Sequence, residues 1–414
     1  MSRKLVLIMV LVAVLLLSFI FFMLKAENKN MESVKKDYPE LSDEVFSMRK
    51  EGLNIWAIRF LFTFGLPLLF LITGLAQKIS VFASKRHGLF LSGLIFGLIF
   101  FGLVFLVNLP LNYYSSFFLR HKYGLSNQSL IRWLELNLKG FIINNGLASL
   151  FIWLPYYFMS QNQNTWWLKL GLLAIPLIVL MVFITPLVID PFFNSYSKLP
   201  KGELRDEIQI LLDKSGIGDA EIFVVDKSKD TKTMNAYMTG IFKSKRIVLW
   251  DTTINNLDKA EITSIVAHEM GHYLKAHIWK SIFMGIIGTF IILFILNVSS
   301  NWVLAESKGA FGFKNIYNYA SLPLIILLLN LITFIANPIE NVVSRYFERE
   351  ADSYEISLTE DRESAVTAMQ KLYKKSLGIP RPSQFYKIWY HSHPPLEERI
   401  DFYINGEFEE LGRK

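Results

Sequence analysis

The stretch SIVAHEMGHYLKAH (264–277) places His268 and His272 around Glu269 in the pattern H-E-x-x-H. Ile262, Ile265, Val266 and Leu274 recur at helical spacing, which predicts a helix from about Asp258 that continues into the apolar run beyond His277. On a helix, residues i and i+4 share a face, so both imidazoles can bind one cation while Glu269 sits beside them. Zinc suits two imidazoles plus a carboxylate, with water as the open fourth ligand. A carboxylate next to that water can take its proton and deliver it to a leaving amine. The bland alternative is a surface helix holding two histidines for no chemical reason, and the pentapeptide alone does not separate the two.

Composition narrows the setting. The 414 residues are 52% hydrophobic, with a mean hydropathy of +0.33, more apolar surface than a soluble core can use. There are no cysteines, which removes disulfides, cysteine nucleophiles and cysteine metal ligands and leaves His, Asp and Glu. The net charge of +7 fits basic segments against acidic lipid. No nucleic-acid motif is present.

Seven stretches reach the roughly 20 apolar residues that cross a bilayer: 5–24, 56–76, 89–113, 143–160, 167–189, 281–298 and 320–337. The fourth is the weakest, interrupted by Pro155. Arg3 and Lys4 before the first run suggest a signal peptide, but the run is too long for one and no small-residue cleavage site follows, so a retained helix is expected. Charge sets the topology. Lys25, Lys29, Lys35, Lys36, Arg49, Lys50, Arg120, Lys122, Arg132 and Lys139 fall in segments 25–55 and 114–142, while Lys78, Lys85, Arg86, Lys308 and Lys314 are what the opposite loops hold. The N-terminus is therefore expected outside and the C-terminus inside, although Arg3 and Lys4 oppose this.

Two polar regions are long enough to fold. Segment 190–280 reads as helix (ELRDEIQILLDKSG), strand (EIFVVD), loop, strand (KRIVLWD) and the His-bearing helix. Segment 338–414 reads as a helix through NVVSRYFEREADSYEISL, a second through ESAVTAMQKLYKKSL, then a loop and a short terminal helix. The chain thus divides into a five-span membrane region (1–189), an inner-face protease region (190–280), a transmembrane hairpin (281–337) and a helical tail (338–414).

A hairpin of spans six and seven would return ENVVSRYFEREAD (340–352) to the histidines. One carboxylate of that helix can complete the metal site and another can orient a ligand from behind. Spacing alone does not rank Glu348, Glu350 and Asp352. HSHPPLEERI adds His391, His393 and Arg399 on a proline-stiffened loop, able to donate to an oxyanion or merely to sit at a surface. NAYMTG (235–240) reads either as a strand edge for a substrate peptide or as a loop before KRIVLWD.

Together these segments resemble the type I CaaX prenyl endopeptidases, integral-membrane gluzincins, through PFFNSY (191–196), NAY (235–237), KRIVLWDT (245–252), HEMGH (268–272), ENVVSRYFEREAD and SHPPLEERI (392–400). HKYGLSNQS (121–129) resembles the family's loop between the third and fourth spans. The resemblance implies a mainly α, polytopic membrane protein: seven helices around a water-filled chamber, with a small α/β protease domain on the inner face. It implies one zinc per chain on His268, His272 and Glu348, with Glu269 as general base. Asp352 would support the site from behind the ligands. Asn235, Ala236 and Tyr237 would hold the substrate as an added strand, and His393 and Arg399 would face the cleaved bond or the substrate. The chain departs from the family's usual S-H-S-N-A-Y, reading KTMNAY, and has PFFN for P-L-F-N, which leaves substrate preference open.

Zinc-dependent cleavage of membrane-associated or prenylated polypeptides is therefore the expected activity. Quality-control proteolysis of misfolded membrane proteins is the alternative within the same chemistry, and a non-catalytic membrane scaffold the alternative outside it. Intact Glu269 argues against the scaffold. The expected partners are a polypeptide and the bilayer, with no nucleic acid. The membrane is plasma or endoplasmic reticulum according to organism, and the LGRK end offers no dilysine retention signal.

Overall fold

The computed structural model describes residues 1–85, 87–241 and 244–406. Arg86, counted above among the outer charges, and the LGRK end lie outside the described residues. Among the described residues, seven helices are long and apolar enough to span a membrane: Arg3–Asp37, Asp43–Ile72, Leu89–Lys122, Leu130–Gln161, Trp166–Phe192, His277–Ser307 and Tyr319–Thr359. Six contain one of the runs read from the sequence, and the second ends at Ile72, inside the run 56–76. The fourth has the lowest hydropathy of the set and passes through a π-helical turn at Phe141–Gly146.

Most of the spans extend past their apolar runs. The first continues to Asp37, where Glu27 is fully buried, paired with Arg49 Nη2 at 2.6 Å and accepting the Ser383 N–H at 2.7 Å. Polar groups within the spans find partners across helices. Arg59 Nη2 donates to Asn112 Oδ1 (3.0 Å) and Ser115 Oγ (2.6 Å), and Asn330 Nδ2 donates to the Thr63 carbonyl (2.8 Å). Arg59, Thr63 and Asn330 border a hollow of about 240 Å³. Intramembrane charge is tolerated only facing water or protein, so these groups mark the chamber side of the bundle.

The sheet has four short strands: β1 (Tyr196–Lys198), β2 (Glu221–Val225), β3 (Ala236–Thr239) and β4 (Arg246–Trp250). Their order is β1-β2-β4-β3; β2 and β4 are parallel and both outer pairs antiparallel. Ile222, Ile247 and Leu249 bury against Ile208, Leu212, Val266 and Met270, so the sheet and the His-bearing helix share one core. β1 and the short helix Leu75–Ser84 have no counterpart in the sequence reading.

Three expectations are corrected. The His-bearing helix does not run into the sixth span. It ends at Leu274, Ala276 adopts the left-handed conformation (φ 55°, ψ 34°), and a new helix begins at His277. An L-residue there costs about 1–2 kcal/mol, and no glycine advertised the break. The C-terminal region holds two helices after the loop, Gln384–Tyr390 and Leu396–Asn405, where one was expected. The seventh span does not stop at the polar boundary near residue 338: Leu322–Thr359 is one helix with Pro338 inside it.

Candidate active site

Two helices build the site. The first, Lys259–Leu274, starts with a capping box in which Asp258 accepts from the Glu261 N–H and Glu261 accepts from the Asp258 N–H; an N-cap of this kind contributes roughly 1 kcal/mol. The second is Leu322–Thr359, returning from the membrane. They meet at Gly271, where a Cβ would lie only 3.0 Å from Ala351 Cα. The glycine of HEMGH thus permits the close approach that puts Glu348 opposite the histidines.

The donor atoms of His268, His272 and Glu348 lie within 4.8 Å of one another. His268 Nε2 is 3.1 Å from His272 Nε2, and each is 3.4 Å from a Glu348 carboxylate oxygen. Glu348 is 5% exposed, and its Oε2 is buried with no hydrogen-bond partner. Three buried carboxylates, Glu348, Asp352 and Glu355, face one guanidinium, Arg399, leaving two negative charges without a fixed counter-charge. An unpartnered carboxylate oxygen, two converging imidazole nitrogens and a deficit of two positive charges fit a divalent cation bound by N and O donors. Burial pulls the His268 pKa down, but Asp352, Glu348 and Glu355 outweigh it and raise the group well above its ordinary range. The pocket demands positive charge.

Behind His268 lies a buried network. His268 Nδ1 is 2.9 Å from Asp352 Oδ1. Arg399 grips Asp352 through Nε (3.1 Å to Oδ2) and Nη2, and also donates to Tyr403 Oη at 2.9 Å. Tyr403 Oη lies 2.8 Å from both Asp352 Oδ1 and Glu355 Oε2, and Ser264 Oγ donates to Glu355 Oε1. His268, Asp352 and Glu355 form a second cluster of metal-ligand type, but its Asp352 is already paired with the guanidinium and its Glu355 accepts from the Tyr403 and Ser264 hydroxyls. Arg399, expected to face the cleaved bond or the substrate, is 7% exposed and bonded to Asp352 and Tyr403.

Glu269 makes no hydrogen bond or ion pair among the described residues. Burial raises its pKa, against the pull of His268 and His272, a shift that suits a base working nearer neutrality. His393 stands on the open side, its side chain 60% exposed, with Nε2 3.2 Å from Glu348 Oε1. β3 ends the sheet, so its outer edge is unpaired among the described strands. Asn235 anchors the entrance to β3: its N–H donates to Thr253 Oγ1 (2.9 Å), and its Oδ1 accepts the Ala236 N–H (2.9 Å). Ala236 is buried, while Tyr237 hydrogen-bonds Tyr196 through the two hydroxyls at 3.2 Å.

Glu350, left unranked beside Glu348 and Asp352, points elsewhere, to His277 Nε2 (3.0 Å) and Lys280 Nζ (3.4 Å). Glu355, Tyr403, Ser264 and His277 were not singled out. The spacing 348, 352, 355 does mark one helix face, as 399 and 403 do, so the first two were findable. His277 was not, because a continuous helix would have turned it away.

Paired imidazoles, a carboxylate, a free base and an open strand edge on a seven-span scaffold define a membrane metalloprotease. The chain belongs to peptidase family M48: the model of that family matches residues 198–403, and the model described as CAAX prenyl protease N-terminal, five membrane helices, matches 45–195. The chain is 33% identical to "Uncharacterized metalloprotease YhfN" of Bacillus subtilis, over 82% of each chain. It is 31% identical to "CAAX prenyl protease 1" of Saccharomyces cerevisiae, over 71% of this chain and 68% of that one. The crystal structure of S. mikatae Ste24p superposes with a TM-score of 0.83 at 24% identity, covering 94% of this chain and 97% of that one.

Proposed function

We propose that this membrane metalloendopeptidase is zinc-dependent, with one ion per chain on His268, His272 and Glu348, and that it cleaves membrane-associated or C-terminally prenylated polypeptides. The observation that carries the reading is the convergence of those three side chains beside an otherwise unpartnered Glu269. Bound zinc would supply Lewis acidity, acidifying water and polarising the scissile carbonyl. Glu269 takes the proton of the attacking water and returns it to the leaving nitrogen as the C–N bond breaks. The open edge of β3 binds the peptide in extended form through backbone hydrogen bonds, with Asn235, Ala236 and Tyr237 setting its register. His393, exposed beside Glu348, donates to the oxygen on which charge develops. Asp352 fixes His268.

The charge asymmetry of the loops supports an outside N-terminus, with the site on the cytoplasmic side of a plasma or reticulum membrane. The four-part division at 189, 280 and 337 goes with this topology. Prenylated substrate is favoured by the likeness to the yeast CAAX prenyl protease. One observation favours general clearance of membrane polypeptides instead: Met234, where the family carries a serine, is buried in the sheet core, so no polar group precedes Asn235 there.

A farnesylated C-a-a-X peptide and its unprenylated twin, each offered with and without chelator, test the reading. The lipidated peptide should be cut faster, and chelation should stop cleavage until zinc is restored. Glu269→Gln should retain zinc and lose at least about 100-fold in rate. Cleavage persisting in that variant would remove Glu269 as the base, and equal rates on the two peptides would favour clearance.

A further inference from the structure

The other nitrogen of His272 meets a third histidine. Its Nδ1 lies 2.9 Å from His277 Nδ1, and His277 Nε2 lies 3.0 Å from Glu350 Oε2. We propose that His277 and Glu350 are positioning residues for the metal site: Glu350 fixes the tautomer of His277, and His277 fixes that of His272. The inference rests on the zinc site proposed above.

The hydrogen bonds have one consistent direction. A carboxylate only accepts, so His277 carries its proton on Nε2 and donates it to Glu350. His277 Nδ1 is then an acceptor, and His272 must carry its own proton on Nδ1. That leaves the lone pair of His272 on Nε2, the nitrogen facing His268 and Glu348. Metal-bound histidines commonly hand their other N–H to a carboxylate or carbonyl. Here a second imidazole stands between the ligand and the carboxylate.

The backbone is bent to make this contact. Each helical residue turns about 100°, so positions 272 and 277 on an unbroken helix would face about 140° apart. The left-handed Ala276 breaks the helix and swings His277 back over His272. Strained residues persist where their surroundings hold them, and they collect at functional sites. His277 is 4% exposed and stacked on Phe347, with ring centroids 4.3 Å apart and an interplanar angle of 11°.

A purely structural account is available: His277, Lys280 and Glu350 tie the sixth span to the seventh. Zinc affinity, read by competition with a chromogenic chelator on the full chain in detergent, separates the two. His277→Phe keeps the stacking surface and removes both nitrogens; it should weaken zinc about 10–100-fold and shift the visible band of the cobalt-substituted protein. His277→Asn, whose Oδ1 falls near the position of Nδ1, should recover most of the affinity. Lys280→Ala removes the second, longer contact to Glu350 and loosens the tie between spans, but keeps the His272–His277 and His277–Glu350 bonds, and should leave affinity unchanged. Affinity in His277→Phe within twofold of the parent would overturn the inference, as would losses in all three variants that follow their thermal stabilities. A parent chain that binds no zinc would instead overturn the metal site itself.

Discussion

The two histidines of HEMGH are held by different means. On the His268 flank, Asp352, Glu355, Arg399 and Tyr403 are at most 7% exposed and bond to one another as well as to the ligand. On the His272 flank, a single file runs from His277 to Glu350, whose side chain is 24% exposed and shared with the half-open Lys280. The first flank is a charged core, where removing one member strands another. The second relies on a strained backbone bend and one half-buried anion. Where low dielectric surrounds paired charges, orientation and stability are the same property; where water reaches the anion, they separate.

That difference can be broken by substitution. Asp352→Asn leaves Arg399 buried with its main partner neutral and should cost about 3–5 kcal/mol of stability, together with zinc affinity. Thermal unfolding of the metal-free chain measures the first effect. A loss no larger than that of His277→Phe would abolish the distinction between the flanks. Tyr403→Phe removes one hydroxyl from between two carboxylates and should cost about 1–3 kcal/mol, with a smaller fall in zinc affinity. An unchanged midpoint would show the network to be satisfied without it.

The smallest effect concerns the proline-stiffened loop that carries His391 and His393. Burial, with the positive charge of Arg49, lowers the His391 pKa from 6.5 to about 4. A folded pKa below the unfolded one means that the unfolded chain takes up the proton first. Stability is therefore full above about pH 6.5 and falls as pH drops toward about 4. His391→Asn should flatten that part of the Tm–pH curve, and an unaltered slope would assign the sensitivity to another group.

Much of the site was legible because it is helical. The spacing 268/272 and 348/352 is local periodicity, and the apolar runs on either side place both pairs on helices leading into or out of a membrane. What spacing could not do was rank Glu348 above Glu350, since which face a helix turns inward depends on what it packs against. The burial of Arg399 was illegible for a related reason. Its motif marks a loop near the site, but only the burial of Asp352 and Glu355 creates the demand that draws the guanidinium inward.

By itself the sequence determined the seven apolar spans, the 268/272 and 348/352 spacings with Glu269 beside them, and the family to which the motifs belong. Each is local: hydrophobic length, helical period, residue chemistry. The tertiary structure alone decided which carboxylate faces the metal pocket, that the NAY strand forms a sheet edge, and that the chain bends at Ala276 to lay His277 on His272. Those depend on contacts between segments far apart in the chain, chosen by packing and by the cost of leaving buried charge unpaired.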